Sequence, residues 1–510
     1  MKGIEERNPI CAVCTPSGMG AIAVIRVSGE RSIEIVDSIF EPVSKKSRLS
    51  DLPGYSVKFG YIYETAASGE REILDEVLVS VFRSPHSYTG EDCVEIACHG
   101  SEYIQQEIIL LLISNGVRTA GPGEFSQRAF LNGKMDLAQA EAVADLISSE
   151  NYASHKIAMQ QMKGGFSSEL KEMRADLLKL VSLMELELDF SEEDVEFADR
   201  KQLKALQEKI TDHIALLMES FKTGNAIKNG IPVAIVGATN TGKSTLLNAL
   251  LGEERAIVSN IHGTTRDTIE DCMTMGGVKF RFIDTAGIRS TDEVIEMIGI
   301  ERTYTKIAQA SVIILMLDSD RPEYFDDGIL SLKEKMNLSE QKLVVVLNKI
   351  DSLVKEDMGK LIGKMNTDSA LQQYAVPERA PIASHPLIQT QLRQIQEILD
   401  KAGMSAEAII PMAAKPKVGL DLLKDLLVKD YGNVKVSGNA TMVTNIRHYE
   451  ALADAYNALG RVAIGLDDGL PTDLVAEDIR EALFHIGSIV GEINTSEILN
   501  TIFGQFCVGK

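Results

Sequence analysis

The chain has 510 residues, 45% of them hydrophobic and 25% charged, and carries a net charge of −22. That composition is ordinary for a soluble globular protein of about three domains, and the acidic balance argues against a broad basic surface for non-specific nucleic-acid binding. It contains no run of 18 apolar residues, so no membrane span is expected.

The opening MKGIEERNPI lacks the basic start and apolar core of a signal peptide, and the six cysteines are scattered along the chain. Both features fit a reducing cytosol rather than a disulfide framework, and a cytoplasmic location is expected. Residues 10 to 27 read as a strand, a Pro-Gly turn and a second strand. EVLVSVF (76–82) and DCVEIAC (92–98) also read as strands, and residues 101–114 as a helix. This first unit is mixed α/β and ends near Gly133.

From Met135 to about Ala226 apolar residues recur at helical spacing, and a helix-rich stretch returns from about Thr444 to Gly504. Between them IPVAIVG, KFRFIDT, SVIILMLD and KLVVVLN alternate with helical segments, the pattern of a mainly parallel sheet. An α/β unit inserted into a helical domain accounts for this order, because domain termini are often neighbours. The expected bounds are 1–133, 134–226, 227–430 and 431–510. Four domains in series would leave an isolated C-terminal piece of about 80 residues.

The strand IPVAIV runs into Gly237-Ala-Thr-Asn-Thr-Gly-Lys-Ser-Thr, a G-x-x-x-x-G-K-S loop ahead of a helix. Backbone N–H groups in such a loop wrap phosphates, and the helix N-terminus favours anions. Asn240, Thr241, Gly242, Lys243, Ser244 and Thr245 are therefore assigned to the nucleotide, with Lys243 reaching the β- and γ-phosphates and Ser244 ligating Mg²⁺. Asp284, Thr285, Ala286 and Gly287 form DTAG after KFRFI, with Asp284 placed to hold Mg²⁺ through water and the Gly287 N–H to sense the γ-phosphate. Asn348, Lys349 and Asp351 form NKID after KLVVVL. A carboxylate at Asp351 can accept from the guanine N1–H and 2-amino group, a donor pair that adenine lacks.

Three such motifs in this order identify a guanine-nucleotide-binding GTPase. The fold class expected is multidomain α/β plus all-α: an N-terminal α/β domain, a discontinuous helical domain and an inserted Ras-like P-loop GTPase domain. Gly263-Thr-Thr-Arg-Asp reads as the first switch, with Thr265 completing the Mg²⁺ shell. Ala413, Ala414 and Lys415 read as the loop backing the guanine, with Ala413 where serine is usual, so that contact must come from backbone atoms. Ras-like proteins orient water with a glutamine just after DxxG. Here Ile288 stands there and cannot do so, which leaves Asp292, Glu293 and Glu296 as candidates, each with solvated charge as the competing reading.

The flanks resemble one family, the tRNA-modification GTPases called MnmE or TrmE, over nearly the whole length. The matching stretches are TPSGMGAIAVIRVSG, YTGEDCVEIACHG, GPGEFSQRAFLNGKMDLAQAEAVADLI and the closing FCVGK. The resemblance implies a homodimer formed through the N-terminal domain. It also implies K⁺ held by Asn240, Ser259, Ile261 and Thr264, the last three partly by carbonyls, with Asn260, His262 and Gly263 in the same nucleotide-lining loop. The family's catalytic carboxylate falls on Glu296, orienting water when two GTPase domains meet. The folate contacts fall on Arg26, Glu95, Lys134 and Lys510, implying a 5-formyl- or 5,10-methylene-tetrahydrofolate. On the residues alone, Arg26 and Lys134 read as surface charges.

The resemblance further implies a hetero-oligomer with a flavin-dependent partner that carries FAD and uses NADH. Together they would add an aminomethyl or carboxymethylaminomethyl group to C5 of the wobble uridine of certain tRNAs, with GTP hydrolysed to GDP and phosphate. A regulatory RNA- or ribosome-associated GTPase is the alternative, and a nucleotide-gated scaffold a third class. Cys507 is either a reactive thiol or an ordering residue of the tail. Cys11-Ala-Val-Cys14 has zinc or redox spacing but sits in a strand pattern, and Cys93, Cys98 and His99 read as strand-end residues. EEDVEFAD (192–199) reads as a solvated helix connection, and residues 352–410 as a surface insertion.

Overall fold

A computed structural model describes residues 8–44, 47–65, 71–189, 200–253, 271–276, 278–283, 307, 310–337, 341–354, 385–429, 441–493, 496–504, 506 and 508–509. The chain divides into two compact units, one within 1–148, 158–216 and 447–510, the other within 149–157 and 217–446. The first unit is therefore discontinuous, and the chain leaves it and returns.

The first unit opens with β1 (Ile10–Val13), β2 (Ile22–Ser28), α1 (Ser32–Ile39), β3 (Phe40–Pro42), β4 (Ser56–Thr65), β5 (Arg71–Phe82), β6 (Cys93–His99), α2 (Glu102–Ser114), β7 (Arg118–Thr119) and α3 (Glu124–Leu131). Its seven strands run in the order β3-β4-β5-β6-β2-β1-β7, antiparallel except for the β1–β7 pair. Alternation explains why the sheet holds its face: Val77, Val79 and Val81 are buried while Glu76, Leu78 and Ser80 are not. That apolar face packs with Ile33 and Val36 of α1 and Ile108 and Leu112 of α2. Sequence periodicity found β2, β5 and β6 but passed over β4, whose aromatic Phe59, Tyr61 and Tyr63 line its more exposed face while Gly60 and Ile62 face the core.

Next come α4 (Leu137–Ser148), α5 (Tyr152–Met162), α6 (Gly165–Asp189) and α7 (Arg200–Asn229). In the second unit these lead to β8 (Ile231–Val236), α8 (Lys243–Glu253), β9 (Asp271–Met275), β10 (Val278–Ile283), β11 (Val312–Asp318), α9 (Phe325–Lys333), β12 (Lys342–Asn348), α10 (Ile350–Leu353), α11 (Pro386–Ala402), β13 (Ala408–Pro411) and α12 (Leu420–Lys429). The six strands run β13-β12-β11-β8-β10-β9, all parallel except the β9–β10 hairpin. All seven residues of β11, VIILMLD, are buried, as a strand covered on both faces requires. The expectation of a mainly parallel sheet holds. Strands β8, β11, β12 and β13 point their carboxyl ends to one edge, where ligands of open α/β sheets bind.

The first unit closes with α13 (Ile446–Asp467), α14 (Thr472–Val490) and α15 (Ser496–Phe503). Glu141 of α4 is clamped by this return segment. Arg447 donates to both its oxygens at 3.0 Å, and the His448 Nε2 lies 2.6 Å away. Arg447 also donates to the Ser488 and Ile489 carbonyls near the end of α14. No described helix is long and apolar enough to cross a membrane.

Candidate functional site

The phosphate-loop motif lies between the end of β8 and the first turn of α8. Its two glycines sit at positive φ, 146° at Gly237 and 98° at Gly242. A Cβ on Gly237 would stand 2.4 Å from the Met316 carbonyl oxygen, and one on Gly242 would stand 2.3 Å from the Asn348 Nδ2. Neither position can hold a side chain, so the loop backbone is free to curl against its neighbours. Asn240 is also left-handed, at φ 62°, a conformation asparagine tolerates better than most residues. The Thr241 hydroxyl donates to the Ala238 carbonyl at 2.9 Å and closes the turn.

Lys243 bends back over this loop. Its Nζ donates to the Gly237 and Ala238 carbonyls at 2.8 and 2.7 Å. Burial pushes its pKa down, since the ammonium is held largely out of water against neutral carbonyls. Ser244 and Thr245 follow, both exposed, in the first turn of α8.

The guanine motif is wired into the same place. Asn348 is the last residue of β12 and is 3% exposed. Its Nδ2 donates to the Thr241 carbonyl at 2.8 Å, and its Oδ1 accepts from the Ala414 N–H at 3.0 Å. One amide thus joins the phosphate loop to the Ala413-Ala414-Lys415 loop after β13. That loop is closed by paired backbone bonds between Ala413 and Val418, both 3.0 Å. Ala413 and Ala414 are buried and Lys415 is exposed. Lys349 is left-handed at φ 63° and donates to the Asp318 carboxylate at 2.7 Å. Asp351 is half-buried in the first turn of α10.

Ser259, Asn260, Ile261, His262, Gly263, Thr264, Thr265, Asp284, Thr285, Ala286, Gly287, Ile288, Asp292, Glu293 and Glu296 lie outside the described residues, as do the acidic run 192–199 and residues 355–384 of the insertion. The surface-insertion reading is corrected for the remaining part: helix α11, which begins at Pro386, ahead of the expected QTQLRQIQEILDKAG, buries Ile388, Ile395 and Leu399 in the core, and Ala408–Pro411 is strand β13 of the sheet.

The second candidate site is in the N-terminal sheet. Arg26 on β2 pairs in register with Glu95 on β6. The guanidinium donates through Nε and Nη2 to one oxygen, Oε1, at 2.9 and 2.8 Å. Its carbon lies 5.0 Å from the Tyr88 ring centroid and 5.6 Å from that of Phe125. Arg26 is only 19% exposed in its side chain, so the surface-charge reading is corrected: two aromatic faces and a carboxylate hold it. Lys134 is exposed and donates to the Pro85 carbonyl at 2.9 Å, on the loop that carries Tyr88.

The C-terminal tail reaches this sheet. Val508 bridges to Pro122, and the Cys14 thiol donates to the Gly509 carbonyl at 3.1 Å. Lys510 and Cys507 lie outside the described residues. Burial pushes the Cys14 thiol up, with nearby Arg26 opposing it. Burial likewise pushes Cys11 to about 11, Cys98 to about 11 and Cys93 to about 12. These four thiols are protonated at neutral pH, and among the described residues no cluster of His, Cys, Asp and Glu could hold a metal. Sequence reasoning missed the Asp318–Lys349 pair and the Glu141 clamp, because both join residues far apart in the chain.

Comparison with known proteins matches residues 137–507 to the MnmE helical domain and residues 9–134 to the GTP-binding protein TrmE N-terminus. The tRNA modification GTPase MnmE of Bacteroides thetaiotaomicron is 48% identical over 99% of this chain and 100% of its own. That of Christiangramia forsetii is 49% identical with the same coverage. A solved GTP-binding protein from Sulfolobus solfataricus, in complex with GDP, is 19% identical, covers 50% of this chain and 66% of its own, and has a TM-score of 0.26, too low for anything to rest on it.

Proposed function

The chain belongs to the MnmE family of tRNA modification GTPases, and on that footing we propose that it hydrolyses GTP to GDP and phosphate in the service of wobble-uridine modification. The observation that carries the nucleotide part is the Asn348 amide, which ties the guanine motif to the phosphate loop in one hydrogen-bonded piece.

In this reading the phosphates lie in the Gly237–Ser244 cradle, whose glycines leave no room for a Cβ. Lys243 swings from the Gly237 and Ala238 carbonyls to the phosphates, exchanging two neutral acceptors for charged ones that bind an ammonium more strongly. Asp351 accepts from the guanine edge and Asn348 keeps the base and phosphate ends in register. Ser244 and Thr265 would hold Mg²⁺, and Asn240 with Ser259, Ile261 and Thr264 would hold K⁺. Bound there, the two cations supply positive charge against the charge that develops on the phosphates. Glu296 orients the attacking water when two GTPase domains of a homodimer meet.

The N-terminal site is read as a pocket for a 5-formyl- or 5,10-methylene-tetrahydrofolate. Arg26 directs two of its five N–H donors, through Nε and Nη2, to Oε1 of Glu95, and in this reading Oε2 accepts from a pterin N–H. Lys134 and Lys510 would meet the anionic glutamyl tail. The folate supplies the one-carbon unit, and a flavin-dependent partner using FAD and NADH completes an aminomethyl or carboxymethylaminomethyl group on C5 of the wobble uridine. The cytoplasm is the proposed location. The Arg26–Glu95 pair and the closing FCVGK, neither of which a ribosome-associated regulator requires, favour the modification reading.

Expression of the chain in a bacterium deleted for its own family member tests this. Mass spectrometry of tRNA nucleosides should show the modified wobble uridine restored by the natural chain and not by Lys243→Ala. Restoration by the variant, or none by the natural chain, would sink the proposal.

A further inference from the structure

We propose that Asp318 is a positioning residue for guanine recognition, acting through Lys349; this rests on the guanine reading of the NKID motif. Asp318 ends β11 directly opposite Asn348 in the parallel register. Its side chain is 8% exposed, and that of Lys349 36%. The Lys349 ammonium donates to Oδ2 at 2.7 Å, and the Asp320 N–H to Oδ1 at 3.1 Å, so both oxygens of this buried carboxylate are satisfied.

What the pair holds is a backbone turn. Lys349 sits at φ 63° and ψ 26°, a left-handed conformation that suits glycine, asparagine and aspartate rather than lysine. The turn separates two side chains with different tasks. Asn348, before it, reaches the phosphate loop at Thr241. Asp351, after it, enters the first turn of α10. The Ile350 N–H bonds to the Met412 carbonyl at 3.3 Å, and the Ser352 N–H returns to the Lys349 carbonyl at 3.0 Å. A tether on the Lys349 ammonium therefore fixes the direction in which the chain leaves β12 and the angle at which Asp351 meets the base. Asp318 touches neither nucleotide nor reacting atoms in this arrangement. Its effect falls on the contact that tells guanine from hypoxanthine, the 2-amino group.

The test uses the full chain and titrates GDP, IDP and ADP against fluorescent GDP. Asp318→Asn is expected to weaken GDP by about tenfold and IDP by clearly less, narrowing the GDP-over-IDP preference. In a Lys349→Met background, Asp318→Asn should add nothing further. Should Asp318→Asn fail to fold, Lys349→Met probes the pair from its more exposed end and is expected to narrow the same preference. Equal losses for GDP and IDP, no loss, or an undiminished effect on top of Lys349→Met would overturn the inference while leaving the guanine reading intact. Equal binding of GDP and ADP by the natural chain would overturn the guanine reading and, with it, the inference.

Discussion

The Asn348 Nδ2 donates to the Thr241 carbonyl at 2.8 Å, and the Gly242 backbone is so close that a Cβ there would stand 2.3 Å from the same nitrogen. The strand end that reads the base and the loop that grips the phosphates therefore share one buried amide. Separate motifs in the sequence, about a hundred residues apart, are a single object in the fold.

Asn348→Ala breaks both halves of that link. It leaves the Thr241 carbonyl and the Ala414 N–H without their partner, at a cost of about 1–3 kcal/mol each where water cannot replace it. GDP affinity should fall at least about tenfold, with a lowered melting temperature. Isothermal titration alongside thermal melts measures both, and unchanged GDP affinity would show that the amide is not part of the site.

Gly242→Ala is expected to be worse for binding than for folding. The new methyl must displace the Asn348 amide while sitting at φ 98°, so the loop moves rather than the sheet. Loss of measurable GTP binding with a largely retained far-ultraviolet circular dichroism spectrum is the expected result.

In the N-terminal sheet, Glu95→Gln removes the charge that Arg26 faces across the ladder. Binding of 5-formyltetrahydrofolate to the full chain should drop about tenfold or more, as for a hydrogen bond to a charged group, while GDP binding is unaffected. Equal folate affinity in the variant would remove Glu95 from the pocket.

The clamp between α4 and α13 sets an acid limit. Burial pushes the Glu141 carboxyl up, but His448 and Arg447 pull it down further, from the usual 4.5 to about 2. A depressed folded-state value means that the ionised form stabilises the fold. This contribution, about 3 kcal/mol, is fully present above pH 4.5 and is lost as pH falls towards 2. Glu141→Gln should therefore melt lower than the natural chain at neutral pH, with the gap closing as pH falls through that window. A gap independent of pH would show that packing, not charge, accounts for the loss.

Local chemistry made the phosphate loop legible, because glycine, lysine and serine at fixed spacing after an apolar strand leave few alternatives. Strong period-two or all-apolar runs revealed β2, β8, β11 and β12 for the same reason. Arg26 was opaque on its own residues: an arginine in a strand looks solvated until Tyr88, Glu95 and Phe125 arrive from elsewhere in the chain. The Asp318–Lys349 pair was hidden for a related reason. An aspartate at a strand end commonly starts a turn, and only the parallel register of β11 and β12 brings it beside residue 349. Contacts set by topology cannot be read from spacing along the chain.

Every role proposed for the nucleotide site depends on this chain turning over guanine nucleotide with discrimination against adenine. Phosphate release by the full chain, with K⁺ and Mg²⁺ present and GTP or ATP supplied at equal concentration, tests it most directly. Sustained release from GTP and background release from ATP are expected. Comparable release from both nucleotides, or none from GTP, would contradict it.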